Sequence, residues 1–313
     1  MLTRNQLLLA KLESTFGSDS SPVKAADAIQ CEPVDFSRDI TKLDYNIVRS
    51  SISAAKRRFG RIMCNFTVRV PFKGSGTAGT APKVGTLLQA CAYKQTIDTG
   101  VSVTYKPTSV EAEILSVTIY FYYDGRLVKA VGCRGNWSLE MAPGEFPMMV
   151  FSLRGALLEE IDTALPTGAT FETATEPQIL QSSGISFGAF DDAVIRSFGL
   201  QSGNNIVDRP DLNSGNYGIK GSDITGRDPA WSATVEATVE ATNAWWGNQT
   251  GRVEEAIDIA IGASAGNIAT ITLDKACIED GVTPRDDNGR VVFSLTGQAL
   301  ENAGDDNIEI VFT

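Results

Sequence analysis

The chain contains no histidine. Its absence removes the side chain most used as a general base near neutral pH and the commonest metal ligand. Ser-His and Cys-His nucleophile pairs are excluded with it. Cysteine is sparse: Cys31, Cys64, Cys91, Cys133 and Cys277 are odd in number and show no CxxC spacing, so they read as reduced, buried thiols. No apolar run approaches the ~18 residues that cross a bilayer, so no membrane-spanning segment is expected. The opening NQLLLAKLE is too short and too polar for a secretory signal and points to synthesis in a cytoplasm. Positive charge is also short, with 27 Lys and Arg against 38 Asp and Glu for a net charge of −11. Such a surface repels phosphate and argues against tight nucleic-acid binding, while leaving passive contact with a polyanion open. No catalytic residue, metal ligand or cofactor site is assigned, and the chain reads as not an enzyme.

What is present speaks mostly in period two. In CNFTVRVPF, Cys64, Phe66, Val68, Val70 and Phe72 share one face, with Asn65, Thr67 and Arg69 on the other, the pattern of a half-buried strand. LSVTIYF alternates likewise, Leu115, Val117, Ile119 and Phe121 against Ser116, Thr118 and Tyr120. Asp124-Gly125 then supplies a hairpin turn. AIDIAIG, NIATITL, RVVFSLTG and NIEIVFT continue the series between Gly, Asn and Asp. APKVGTLLQACAY (81–93) breaks it, with Pro82 near a helix start and Val84, Leu87, Leu88 and Cys91 on one face, which predicts a short helix. The class is mainly β.

The clearest internal signal is a repetition. VFSLRGALLE at 150–159 returns as VFSLTGQALE at 292–301, seven of ten positions identical at a spacing of 142. Fainter echoes surround it: VEAEILSVTI from Val110 with VEEAIDIAI from Val253, Cys133 with Cys277, and GRIMCNFTV from Gly60 with GRDPAWSATV from Gly226, the last at 166. Two copies are too few for a solenoid but suit a pseudo-symmetric pair. The 313 residues are therefore divided into an N-terminal arm (1–29), a first domain (30–160), a Thr-, Pro-, Gly- and Ser-rich linker (161–184) and a second domain (185–313).

Several motifs invite a chemical reading. GSGTAG (74–79) fits G-x-G-x-x-G and has Asp98 about 20 residues on, as a dinucleotide site would. Yet the strand before it alternates polar and apolar, Ala81-Pro82 delays the helix, and no βαβ series follows. A loop of small residues is the better account. DLNSGN (211–216) and DDNG (286–289) place carboxylates beside Asn and Gly, but position 222 is Ser where an EF-hand loop needs Glu, and turn chemistry explains both. Glu159 and Glu160 are adjacent without forming an acid/base dyad. In ATVEATVEAT (233–242), a strand would turn Ala233, Val235, Ala237, Val239 and Ala241 to a core and Thr234, Glu236, Thr238, Glu240 and Thr242 outward. That face is either ordinary solvent surface or the wall of a channel, where uniform negative charge lets a polyanion pass unheld.

Within LLLAKLESTFGSDSSPVKAADAIQCEPVDF, residues Lys11, Glu13, Thr15, Gly17, Ala28 and Ile29 resemble the K-x-E-x-T/S-x-G element and following Ala-Ile strand of the tail tube (major tail) proteins of long-tailed bacteriophages. TAPKVGTLLQACAY resembles that family's Pro-containing helix with paired leucines, and IGASAGNIATITLDKACIED through DDNIEIVF resembles its C-terminal hairpin. The resemblance implies two tandem β-barrel or sandwich domains, each with at most one short helix. It leaves the helix of the second domain, near ATNAWWGNQTGR, undecided. In that family six domains form a ring, and rings stack into a hollow virion tail. Two domains per chain then imply a trimer with pseudo-sixfold symmetry, made in the host cytoplasm, whose first 28 residues fold over a neighbouring ring. Its implied partners are copies of itself, a tape measure protein inside, terminator and tail-end proteins at the tips, and genomic DNA sliding through unbound. Glu236 and Glu240 become candidate lumen-facing residues. Two other classes stand beside this one: a carbohydrate-binding β-sandwich using Trp231, Trp245 and Trp246 as stacking platforms, and a nucleotide-binding enzyme resting on GSGTAG.

Overall fold

Alternating side chains and tight turns build most of the molecule. The structure, a computed structural model, describes residues 4–45, 47–54, 56–180 and 184–313. Residues 1–3 of the expected arm and 181–183 of the expected linker lie outside these. The first half forms β1 (Gln6–Leu12), β2 (Ala28–Ile29), β3 (Asp35–Asp44), β4 (Arg57–Pro71), α1 (Val84–Gln89), β5 (Tyr93–Asp98), β6 (Ser102–Pro107), β7 (Val117–Tyr123), β8 (Arg126–Met141) and β9 (Met148–Asp162). They pair antiparallel in the order β2–β1–β7–β8–β9–β4–β3, with β5–β6 a separate hairpin. The second half forms β10 (Gly184–Phe187), β11 (Ile195–Gln201), β12 (Asn204–Pro210), β13 (Ile219–Arg227), β14 (Ala230–Glu236), α2 (Trp245–Gly251), β15 (Glu255–Ile261), β16 (Ala269–Asp280), β17 (Arg285–Asp287), β18 (Arg290–Leu300) and β19 (Glu309–Phe312). Here the order is β10–β15–β16–β18–β14–β11, with β17 beside β18 and β19 on the free edge of β16. The fold is mainly β, as the alternation requires, with two short α-helices among the described residues.

The local rules act where the sequence placed them. Cys64, Phe66, Val68, Val70 and Phe72 are all buried. Asp124 and Gly125, both at positive φ, turn β7 into β8, and Asn288 and Gly289 turn β17 into β18 in the same way, as type I′ turns demand. The face of α1 that carries Val84, Leu87 and Leu88 is buried. Strand β7 departs from its half-buried pattern. Tyr120 and Tyr122 are covered on the outer side by Leu7, Leu9 and Ala28, with Leu165 and Ala169 packed beside them. Gln6–Leu12 is therefore an interior strand, hydrogen-bonded along the full length of β7, and not a free arm. Burying Leu7 to Ala10 in the chain's own sheet leaves them nothing to offer a neighbour.

The two copies of the signature lie in β9 and β18. Val150 stands opposite Arg69 and Val292 opposite Glu236, so the partner strands β4 and β14 are stepped by 167. Both signature glycines mark close approaches, to a side chain at Gly155 and to backbone at Gly297. A Cβ on Gly155 would lie 2.2 Å from Cys133 Sγ, and one on Gly297 would lie 2.0 Å from the Cys277 carbonyl oxygen and 2.6 Å from the Trp231 ring. The echo at Val110 is one of letters only. Glu113 accepts hydrogen bonds from Lys94 and Thr108, which fixes Glu111–Glu113 as a 3₁₀ turn, whereas Glu255–Ile261 is strand.

One hydrophobic core crosses the middle of the chain, running from Leu8 to Phe312. Phe312 packs on Phe72 and Tyr105 at centroid distances of 5.3 and 6.0 Å. Filling either glycine notch is an overpacking error. Gly297→Ala and Gly155→Ala are each expected to lower stability by about 2–3 kcal/mol in urea unfolding. Full stability in both would refute the close-approach account.

Candidate functional site

The GSGTAG loop serves the seam between the halves. Gly74 donates its N–H to Asn267 Oδ1 at 2.8 Å and Gly76 to the Gly266 carbonyl at 2.9 Å, so these N–H groups are spent on the β15–β16 loop. A Cβ on Gly74 would sit 2.2 Å from Gly266 O, which is why small residues are needed here. Lys73, buried just before the loop, donates to Gln30 and to the carbonyls of Glu172 and Thr175. The stretch after β9 is thereby strapped to the surface of the first half. Burial lowers the pKa of Lys73 and raises that of Glu172.

Two strand pairings join the halves. Ser138–Met141 of β8 pairs with Phe198–Gln201 of β11, and Val103–Tyr105 of β6 pairs with Ile310–Phe312 of β19. The β12–β13 hairpin adds polar contacts. Arg154 donates to both carboxylate oxygens of Asp208, at 2.6 and 3.0 Å, and Arg61 approaches the same group at 3.2 Å. Arg134 pairs with Asp223, donates to the carbonyls of Ile114 and Leu115, and covers the Phe16 ring at 4.5 Å. Asn204 donates to the carbonyls of Cys91 and Gly135.

The K-x-E-x-T-x-G element supplies the wedge under this hairpin. The buried Glu13 carboxyl accepts from Gly17 N–H (2.7 Å), Ser116 Oγ (2.6 Å), Thr118 Oγ1 (3.0 Å) and Gly132 N–H (2.7 Å). Two of these donors meet each oxygen. Gly17 lies against Lys220 and Gly132 against Gly221, where a Cβ would come to 2.4 and 2.7 Å of backbone. Sequence reasoning named Glu13 and Gly17 only as marks of resemblance. Their signal was a carboxylate three residues after the apolar run Leu7–Ala10 of β1.

The remaining candidates scatter. Strand β14 stops at Glu236, and Thr238 instead takes a hydrogen bond from the buried Trp245 indole at 3.0 Å. The continuous strand expected over 233–242 does not form, because Trp245 packs on Phe187 and Phe190 and draws the chain out of the sheet. Glu236 is held by Arg196 at 2.8 Å, and Glu240 accepts the Gly247 N–H of α2 at 2.8 Å. Glu160 pairs with Arg38 and Arg126, and Glu159 with Lys129. Asp211 accepts the Asn213 N–H within a turn. Trp231 and Trp245 are buried, which leaves Trp246 alone of the three exposed. All five cysteines are free, and burial pushes the Cys31 and Cys64 thiols up to about 12.

Several strand edges stay open among the described residues, those of β2, β5 and β10 included. Strand β3 pairs only with β4, and β17 only with β18. Beyond β3 its hairpin exposes Leu43, Tyr45, Ile47, Val48, Ile52 and Phe59. Such edges and apolar tips are normally covered by a partner.

Replacing Glu13 by Gln sets an NH2 against two donors in either orientation of the amide. Glu13→Gln should cost about 2–4 kcal/mol, against about 1 kcal/mol for Ser116→Ala, in denaturant unfolding; equal small effects would sink this role. The Arg154 hydrogen bonds hold the Asp208 carboxyl below the usual range. Its contribution is present above the unfolded pKa of about 3.9 and is lost as pH falls through the lower folded value. Melting temperature should therefore drop on acidification below about pH 4, and less steeply in Asp208→Asn. An unchanged acid slope in the variant would contradict the assignment.

A family model described as phage tail tube protein matches residues 3–312. No curated protein matches the chain. With the match running through both halves of this mainly β molecule, the chain belongs to the phage tail tube protein family.

Proposed function

We propose that the protein is a duplicated tube subunit, three copies of which close a pseudo-sixfold ring, and that the rings stack into the channel through which genomic DNA leaves the virion. Membership of a structural tail tube family supports the coarse statement. The finer one is carried by a single observation: the signature strands β9 and β18 pair with β4 and β14 in matching register. On this reading β1–β9 is one tube domain and β10–β19 the other, and the stretch after Asp162 connects them. A heterologous interface that repeats by rotation closes into a ring, and two domains per chain halve the copies needed. A net charge of −11 per chain, multiplied along a tube, favours passage of DNA without capture. Glu236 and Glu240 contribute to that field, although each already has a partner in the chain. A tape measure protein inside, and terminator and tail-end proteins at the tips, complete the proposed set of partners.

The test is negative-stain microscopy of the purified protein, with ring mass measured by light scattering. Hollow rings or tubes with three chains per ring are expected. Rings of six chains would overturn the duplication reading, and a strict monomer at high concentration would overturn assembly.

A further inference from the structure

We infer that the seam inside the chain is repeated between chains, with β3 of one copy adding to β17 of the next. This rests on the ring reading above and specifies its interface. Within the chain, Ser138, Leu139 and Glu140 of β8 stand opposite Gln201, Leu200 and Gly199 of β11. Each of these strands has a counterpart in the other half that lacks such a neighbour.

Counterparts follow from register alone. Ser138, Leu139 and Glu140 face Val150, Met149 and Met148 of β9, while Arg285, Asp286 and Asp287 face Val292, Val291 and Arg290 of β18. Across the step of 142 between the signatures, β17 therefore holds the place of β8's last stretch. In the same way Ser37, Arg38 and Asp39 face Asn65, Cys64 and Met63 of β4, and Gly199, Leu200 and Gln201 face Ser232, Trp231 and Ala230 of β14. Across the step of 167, β3 holds the place of β11, and Phe36 falls on Phe198.

Transferring the internal register sets Arg285 opposite Asp39, Asp286 opposite Arg38 and Asp287 opposite Ser37. Two of the three positions become opposite-charge cross-strand pairs, which antiparallel sheets favour. The internal seam has Leu139 against Leu200 at the central position. That apolar pair suits a contact never exposed, whereas a charged pair suits an edge that must stay soluble until a copy arrives. Asp39, Arg38, Arg285 and Asp286 are all exposed, and Arg38 and Asp39 are steadied on this edge by Glu160 and Arg154 of β9. The neighbouring hairpin follows the same logic. In the second half β12–β13 lies over β8 and β9, held by Arg134–Asp223 and Arg154–Asp208. Its counterpart is the outer end of the β3–β4 hairpin, whose apolar tip is uncovered and would lie over β16 and β18 of the next copy.

The experiment introduces Arg38→Cys and Asp286→Cys into one chain and oxidises the assembled protein. A non-reducing gel should show chains linked in twos and threes. Each single variant, and the shifted pair Arg38→Cys with Arg285→Cys, should stay at the wild-type background set by Cys31 and the four buried cysteines. In parallel, Arg38→Asp and Asp286→Arg should each lower the assembled fraction by about twofold to fivefold per seam, the range of such pairs, and the two together should restore it. Tubes of the double-cysteine chain that give no link between 38 and 286, or a stronger link in the shifted pair, would overturn the seam and leave the tube standing. Failure of the doubly reversed chain to recover would also overturn it. Absence of any ring or tube from the wild type would remove both readings.

Discussion

A β-strand has two edges, and each buried edge must find hydrogen-bond partners. Strand β8 meets this by changing neighbours partway along its length. Arg126–Cys133 lies beside β7, and from Ser138 that edge is taken by β11 of the other half. The change occurs where Gly132 leaves the regular ladder and its N–H turns to Glu13. Most of what distinguishes this molecule from two tethered barrels follows from that handover. The halves share one core, the β12–β13 hairpin gains a floor to lie on, and β3 and β17 stay among the strands paired on one side only.

The polar groups around the handover are numerous and well matched. Arg134 is nearly buried, so its charge is tolerable only because Asp223, two carbonyls and the Phe16 ring surround it. A buried charge of this kind adds little net stability but penalises any arrangement that leaves it unpaired. It therefore selects one seating of the hairpin over others. The glycines facing each other at 132 and 221 act to the same end by requiring contact at backbone distance.

The strands were legible because alternation is local. Cys64 to Phe72 announced its inner face, and Asp124-Gly125 and Asn288-Gly289 announced their turns. The seven-in-ten repeat was legible too, although its glycine gave no hint of its reason, because Cys133 and Cys277 lie far off in sequence. What the residues could not disclose was the destination of loops. GSGTAG fits the letters of a phosphate cradle but reads better as a loop of small residues, and only the fold shows that Gly266 is the backbone it admits. The row over 233–242 failed for a related cause, since one buried Trp245 outweighed the alternation of ten residues. The leading segment read as an arm because nothing local says that β7 has an edge waiting for it.

The placement of β19 has a kinetic consequence. It lies between β16 and β6, so Ile310 must find Tyr105 across some two hundred residues of chain. Contacts of such separation form late, after the intervening elements have ordered and the loop entropy has been met. Until then β6 and β16 are both exposed edges, and the first half cannot finish its core around Phe72 without Phe312. Completion of the first half's core thus requires the far end of the chain. A chain still waiting for it has strand edges open at the wrong places, where partly folded copies can mispair.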